Sequence, residues 1–202
     1  MGPSLLKDIG PELKHYRYQI LTEVFYVNPG GHQIFGVHQG TDDDQRIGNL
    51  VNLKQIRIRM KITSESIGGG GTTAFINDIC RVSLICARRE PGVPIQAASV
   101  YESSGPNKFI RLGNANYWSI KEWYFAIYDC FNTLTSSGNK NSYLIDEDIP
   151  MNLICSWQGS SGTDPYENSL YIFTMGSKTS GTFGEPLALI PAGDIIMDYY
   201  DT

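Results

Sequence analysis

The amino-acid sequence predicts an all-β protein, a single antiparallel jelly-roll sandwich of about eight strands. Three observations predict it. Short stretches of alternating apolar and polar residues recur along the whole chain, the mark of strands with one buried face. Turn-rich segments containing Gly, Pro, Asn and Ser separate them, at residues 68–71, 90–94, 103–107, 135–141, 159–165 and 176–186. The 202 residues, 41% hydrophobic and only 18% charged, suffice for one domain with a sizeable core. No internal repeat divides the chain, so residues 1–202 read as one domain, with residues 1–12 as an extension before the first strand.

Taken in order, the first strand carries Tyr16, Tyr18, Ile20, Thr22, Val24 and Tyr26 on one face, and Asn28-Pro29-Gly30-Gly31 ends it. A shorter strand follows over residues 33–38. The third is the clearest. Strict alternation from Gln55 sends Ile56, Ile58, Met60 and Ile62 inward and Arg57, Arg59 and Lys61 outward. Just upstream Val51 and Leu53 hold the opposite phase, and a bulge or corner near Lys54 reconciles the two within one long, bent strand. Cys80, Val82, Leu84 and Cys86 line one face of the next strand, with Arg81 and Ser83 opposite. Residues 95–101 have room for a helical turn. Residues 123–128 are apolar on both faces, as in a strand in the middle of a packed sheet. Met151, Leu153, Cys155 and Trp157 alternate with Asn152 and Ser156, and residues 169–175 and 195–200 complete the set.

Charge and cysteines narrow the function classes. A formal net charge of −5 argues against a protein that binds nucleic acid through its overall charge. No apolar run approaches the length of a membrane span, and the first twenty residues lack a signal-peptide core, so a soluble, non-exported protein without membrane partners is expected. The four cysteines, Cys80, Cys86, Cys130 and Cys155, form no C-x-x-C pair. Cys80 and Cys86 share a strand face roughly 20 Å apart, too far to pair, and core thiols are expected.

Chemistry-bearing patterns are few. The Gly68–Gly71 run is not followed by Gly-Lys-Ser/Thr or a helix, so it reads as a hairpin tip and not a phosphate loop. His32 and His38 lie roughly 20 Å apart on a straight strand and make a poor metal site, and His15 is alone. No Gly-x-Ser-x-Gly elbow occurs. No catalytic residue and no cofactor are expected. Asp42, Asp43 and Asp44 could supply oxygen ligands to Ca²⁺ at a subunit interface, against the simpler reading of a solvated acidic loop; Asp198 and Asp201 are in the same position. The row Arg57, Arg59, Lys61 places three cations on one face at roughly 6–7 Å intervals, close to the phosphate repeat of an extended single strand. Its alternative roles are a solvated outer face or pairing with acidic loops of a neighbouring subunit.

One stretch points to a family. Gln39-Gly40-Thr41-Asp42-Asp43-Asp44-Gln45-Arg46-Ile47-Gly48-Asn49, followed by the long basic-faced strand, resembles the "QGTxDxQRIGN" region of capsid proteins from circular, Rep-encoding single-stranded DNA viruses, the circovirus-like group. Pro11-Glu12-Leu13-Lys14 is similar to their "PE(L/V)K" opening, Arg81-Val82-Ser83-Leu84-Ile85 to their next strand, and Ser169-Leu170-Tyr171-Ile172-Phe173 to their penultimate one. The order holds over nearly the whole chain. The resemblance implies a viral-capsid jelly roll, about sixty copies of which close into a T=1 icosahedral shell around a circular single-stranded genome. It also implies residence in the virion, with assembly in the host nucleus or cytoplasm. Within the signature, Gln39, Gly40, Thr41, Gln45, Arg46, Ile47 and Gly48 take structural roles, with Gly48 relaxing the backbone and Arg46 pairing with a carboxylate or loop carbonyl. Such proteins usually begin with an Arg-rich arm, whereas Met1–Gly10 here has only Lys7 against Asp8. Alternatives are the capsid of a small RNA or satellite virus and, from another class, a lectin-like or cytokine-like jelly roll. The receptor is not legible.

Overall fold

A computed structural model of the chain describes residues 12–20, 30–42, 44–66, 75–89, 95–102, 108–111, 115–130, 142–158, 165–176 and 187–201. Among these residues eight strands and one helical turn appear in the order β1 (Leu13–Ile20), β2 (His32–Gln33), β3 (Leu50–Ser66), β4 (Phe75–Ala87), α1 (Ala97–Val100), β5 (Tyr117–Cys130), β6 (Ser142–Ser156), β7 (Ser169–Met175) and β8 (Leu187–Asp201). The first sheet has the order β1-β8-β3-β6 and the second β2-β7-β4-β5, every pairing antiparallel. β1 pairs with β8, β2 with β7, β3 with β6 and β4 with β5. That is the pairing of one long hairpin rolled up into two facing sheets, which is the jelly roll.

β3 is 17 residues long and hydrogen-bonded on both sides, to β8 and β6. Its register shifts between Leu53 and Gln55 on both neighbours, so Lys54 is the bulged residue. The bulge lets Val51 and Leu53 point inward together with Ile56, Ile58, Met60 and Ile62, all six without exposed surface. They join Val82, Leu84 and Cys86 of β4 and Ile195, Met197 and Tyr199 of β8 in the core between the sheets. Each fully buried aliphatic side chain there stabilises the fold by about 1.5–3 kcal/mol. Phe35 sits among Tyr16, Trp157 and Tyr199 with edge-to-face centroid distances of 5.8, 5.8 and 5.9 Å.

Three strand readings change. The strand expected over residues 33–38 is only His32–Gln33, because the chain leaves the sheet while Ile34, Phe35 and Val37 stay buried as a core plug. Residues 123–128 are not central: β5 is the edge of the second sheet, with Trp123 and Phe125 buried and Tyr124 and Ala126 turned out. The strands buried throughout are instead β7 and, over residues 80–87, β4. Their outer face, with Ile85, Phe173 and Met175, lies under a second apolar cluster formed by Ile95, Ala97, Val100 and Tyr101 around α1, the helical turn expected there. Gly31 is required against this layer, since a Cβ would meet the Phe173 ring at 2.6 Å. Arg81 and Ser83 are therefore buried as well. Thr22, Val24, Tyr26, Asp43, the Cys130 side chain, residues 1–10 and the Gly68–Gly71 run lie outside the description.

Candidate functional site

The outer face of the first sheet carries the basic row, and the strand register arranges it in lines running across four strands. Leu13, Tyr200, Asn52 and Ile154 form one line; next come His15, Asp198, Gln55 and Pro150; then Arg17, Ile196, Arg57 and Asp148; then Gln19, Asp194, Arg59 and Asp146. Ala192, Lys61 and Leu144 follow. Cations on β1 and β3 thus alternate with carboxylates on β8 and β6 from strand to strand, each strand carrying one sign, and they pair. Arg17 forks onto Asp194 through Nε and Nη2 at 2.8 and 2.7 Å. These hydrogen bonds hold the Asp194 carboxyl below its ordinary range. Arg57 Nη2 lies 2.6 Å from Asp198 Oδ1, the same oxygen that His15 Nδ1 reaches at 2.7 Å. Arg59 bridges Asp146 and Asp148 at 2.6 and 3.0 Å.

The three row residues do lie side by side on this face. Arg57 and Arg59 are paired within the chain, with carboxylates from the flanking strands. Among the described residues Lys61 has no such partner, and it is exposed. The missing partners had a signal: Asp146-x-Asp148 repeats the two-residue spacing of Arg57-x-Arg59 with opposite sign.

The signature segment folds as a locked loop beside this face. Gly40 N–H donates to the Arg46 carbonyl at 2.9 Å, and Arg46 N–H to the His38 carbonyl at 2.9 Å. Gln39 Nε2 caps the Ile47 carbonyl at 2.8 Å. Gln45 Nε2 donates to Asp42 Oδ2 at 2.8 Å, and its amide oxygen fills the space a Cβ on Gly40 would take, 1.6 Å away. Arg46 is fully buried. Its Nε donates to the Val37 carbonyl at 3.2 Å, and its Nη1 to the Gly48 carbonyl at 2.5 Å and to Asn49 Oδ1 at 3.2 Å. The guanidinium lies 4.9 Å from the Trp157 ring centre. Burial lowers its pKa, against the pull of nearby Asp201.

Lys14 and Asp201 fasten the loop to the sheet. Lys14 Nζ donates to the Gln45 carbonyl at 2.7 Å and pairs with Asp201 at 3.1 Å, while Ile47 N–H donates to Asp201 Oδ1 at 3.2 Å. Thr41 stays exposed. Asp42 is engaged with Gln45, Asp198 with Arg57 and Asp201 with Lys14, and no group of three metal-ligating side chains occurs among the described residues.

Sequence reasoning missed a polar knot on the outer face of the second sheet. Arg81 donates to Glu122, the Lys108 carbonyl and Ser83 Oγ, and its guanidinium lies 4.2 Å from the Tyr101 ring centre and 5.2 Å from that of Tyr124. Burial pushes the Tyr101 hydroxyl up to about 12, partly offset by Arg81. Beside it an open groove of about 710 Å³ runs between Phe109 and residues 119–122 of β5.

No family model matches the chain, and neither does any curated protein. Among solved structures it is similar to the infectious bursal disease virus VP2 subviral particle, at 11% identity over 93% of this chain with a TM-score of 0.29. It is also similar to the structure of the infectious bursal disease virus Gt strain, at 10% identity over 94% with a TM-score of 0.29. The chain spans about a third of the length of each. Superpositions this loose add nothing to the functional argument, and the jelly roll stands on the strand order alone.

Proposed function

We propose that this chain is the shell subunit of a small icosahedral virus of the circovirus-like kind. In this reading it self-assembles into a T=1-like particle of about sixty copies around a circular single-stranded DNA genome, and has a structural rather than catalytic role in the virion. One observation carries the reading: a jelly-roll strand order whose Gln39–Asn49 connection, the segment resembling those capsid proteins, is a self-locked loop. A segment with so many internal bonds has a structural reason for its composition.

Nucleic acid contact in this reading is weak and independent of base sequence. Lys61 meets phosphate directly, and Arg57 and Arg59 do so only by exchanging Asp198, Asp146 and Asp148 for it. The slope of log affinity against log salt is then about −0.7 for one contact and reaches about −2 only if all three engage.

The test is expression of the chain, with light scattering and negative-stain microscopy over a range of salt and pH. Closed spherical particles of uniform size are expected. Monomers or small oligomers under every condition overturn the reading. Single-stranded DNA retained by particles, compared between the parent and an Arg57→Ala/Arg59→Ala/Lys61→Ala variant, tests the genome contact; undiminished DNA in normal particles refutes it.

A further inference from the structure

We infer that the surface around Lys108 and Phe109, on the outer side of the second sheet, docks a second copy of this chain, which enters with the acidic start of its β1. The inference rests on the self-assembly reading and names one contact that builds the assembly.

Residues 100–102 and 109–111 run antiparallel as a small ribbon beside β5. Tyr101 bridges Ile110, Glu102 N–H donates to the Phe109 carbonyl at 3.0 Å, and Arg111 N–H donates to the Val100 carbonyl at 3.0 Å. Buried Arg81 anchors the ribbon to the sheet by donating to the Lys108 carbonyl. Arg111 fastens it again, Nε and Nη2 donating to the carbonyls of Tyr101 and Ala98 at 2.8 Å each. On this ribbon Phe109 is 78% exposed, the most of any large apolar side chain among the described residues. It forms one wall of the groove of about 710 Å³, whose apolar lining continues through Ile110 and Ile120. A ring carried on so well bonded a backbone costs little ordering on binding, as an interface anchor requires.

Charge selects the occupant. Residues 81–122 contain six Lys and Arg against three Glu and no Asp, in a chain whose net charge is −5, so the remainder is more acidic than the whole. Lys108 and Arg111 are exposed and form no ion pair among the described residues. The complementary feature lies at the start of β1. There Glu12 and Asp44, both exposed, flank a notch of about 300 Å³ lined also by Leu13, Lys14 and His15. Lys14 is buried and committed to Asp201, and His15 to Asp198, so neither neutralises the two carboxylates. Leu13, 42% exposed, gives the notch an apolar wall. A cation beside a ring thus meets carboxylates beside an aliphatic side chain, and closing the contact pairs the charges while taking apolar surface out of water.

The notch is out of reach of its own chain's ribbon. Glu147 of β6 accepts from Trp123 at 2.8 Å and pairs with Lys121 at 3.0 Å, so β5 stands beside β6. β1 is the opposite edge of the first sheet, three strand spacings or roughly 14 Å away. The contact therefore runs head to tail between copies, and such a contact repeated about an axis closes a ring, the element from which closed shells are built.

The experiment measures association of the full chain by sedimentation velocity over a concentration series. It compares the parent with Phe109→Ser, Lys108→Glu, Asp44→Lys, the charge swap Lys108→Glu/Asp44→Lys, and Gln19→Ser as a control on an exposed site away from both patches. All these side chains are exposed, and melting curves verify folding; Glu12→Lys replaces Asp44→Lys if the latter lowers the melting temperature. Each single change at the contact should weaken association by about tenfold or more, and the charge swap should recover most of what Lys108→Glu loses, with the control like the parent. Single variants that associate as the parent does, or a swap no better than its components, overturn this inference and leave the shell reading standing. A parent that is monomeric throughout overturns both. If that monomer binds single-stranded oligothymidylate and Lys108→Glu abolishes the binding, the surface belongs to nucleic acid and not to a second copy.

Discussion

Replacing Arg46 by Ala removes the clamp of the signature loop, and the structure gives the size of the effect. Among the described residues the carbonyls of Val37 and Gly48 and the amide oxygen of Asn49 lose their donor. A buried acceptor left without a partner costs about 1–3 kcal/mol, and the contact with Trp157 contributes about 0.5–2 kcal/mol more. Asn49 is exposed and finds water, so two carbonyls and one ring contact count. The expected loss is about 2.5–8 kcal/mol, a large part of the roughly 5–15 kcal/mol that holds a domain together. For a chain of this length it corresponds to a fall in Tm of at least roughly 5 °C. Arg46→Lys keeps the charge but cannot fork to two carbonyls, and should lose nearly as much. Urea unfolding followed by tryptophan fluorescence measures both, with Trp157 as a local reporter. A loss below about 1 kcal/mol for Arg46→Ala would mean that the loop closes without its arginine, and the structural account of the signature would be wrong.

Other expectations follow from the same geometry. Ile58→Asp should abolish soluble folding, because it puts a carboxylate in the dry centre of the sandwich at a cost of several kcal/mol, whereas Arg59→Ala should melt within a few degrees of the parent; equal behaviour of the two refutes the facing of β3. Cys80, Cys86 and Cys155 are buried thiols outside any disulfide, burial raising the Cys86 thiol strongly and Cys155 to about 12. None of the three should react with Ellman's reagent at pH 8 until the protein is denatured, and fast native labelling at any of them contradicts the core assignment. Stability should decline in alkali. Tyr101 and Cys155 ionise near 10.0 and 9.0 when unhindered but only near about 12 when folded, so the folded state holds their protons longer. Their contribution is intact below pH 9, shrinks as pH rises from there towards 12, and is on the order of 2–4 kcal/mol each. Unfolding free energies that stay flat between pH 9 and 11.5 would exclude it.

Much of this architecture is legible in the sequence where one strand suffices to read it. β3 shows its alternation, its facing and even its bulge, because each depends only on which residues of that strand meet the core. What fails is what depends on partners distant in sequence. The pairing of Arg57 with Asp198 joins residues 141 apart, and only the register of β8 against β3 brings them together. Residues 123–128 look central because Tyr124 and Ala126 are apolar, yet an edge strand tolerates apolar residues on its wet face. Arg81 and Ser83 look solvent-facing on a half-buried strand until the segment around α1 folds over them, and that cover has no periodicity to announce it. In the signature, the residue types foretell a tight loop held by Arg46; that Lys14 and Asp201 tether it does not emerge without the pairing of β1 with β8.

The place of β8 has a consequence for when the molecule becomes competent. It is the last of the eight strands to be synthesised, and it inserts between β1 and β3, the first and third. Until it arrives β1 has no partner in its sheet and β3 lacks one of its two neighbours. Asp201, at the tether of the signature loop, arrives with the same strand. A chain without β8 therefore lacks the finished loop. Strand order thus makes the closing of the signature loop wait for the last of the described strands.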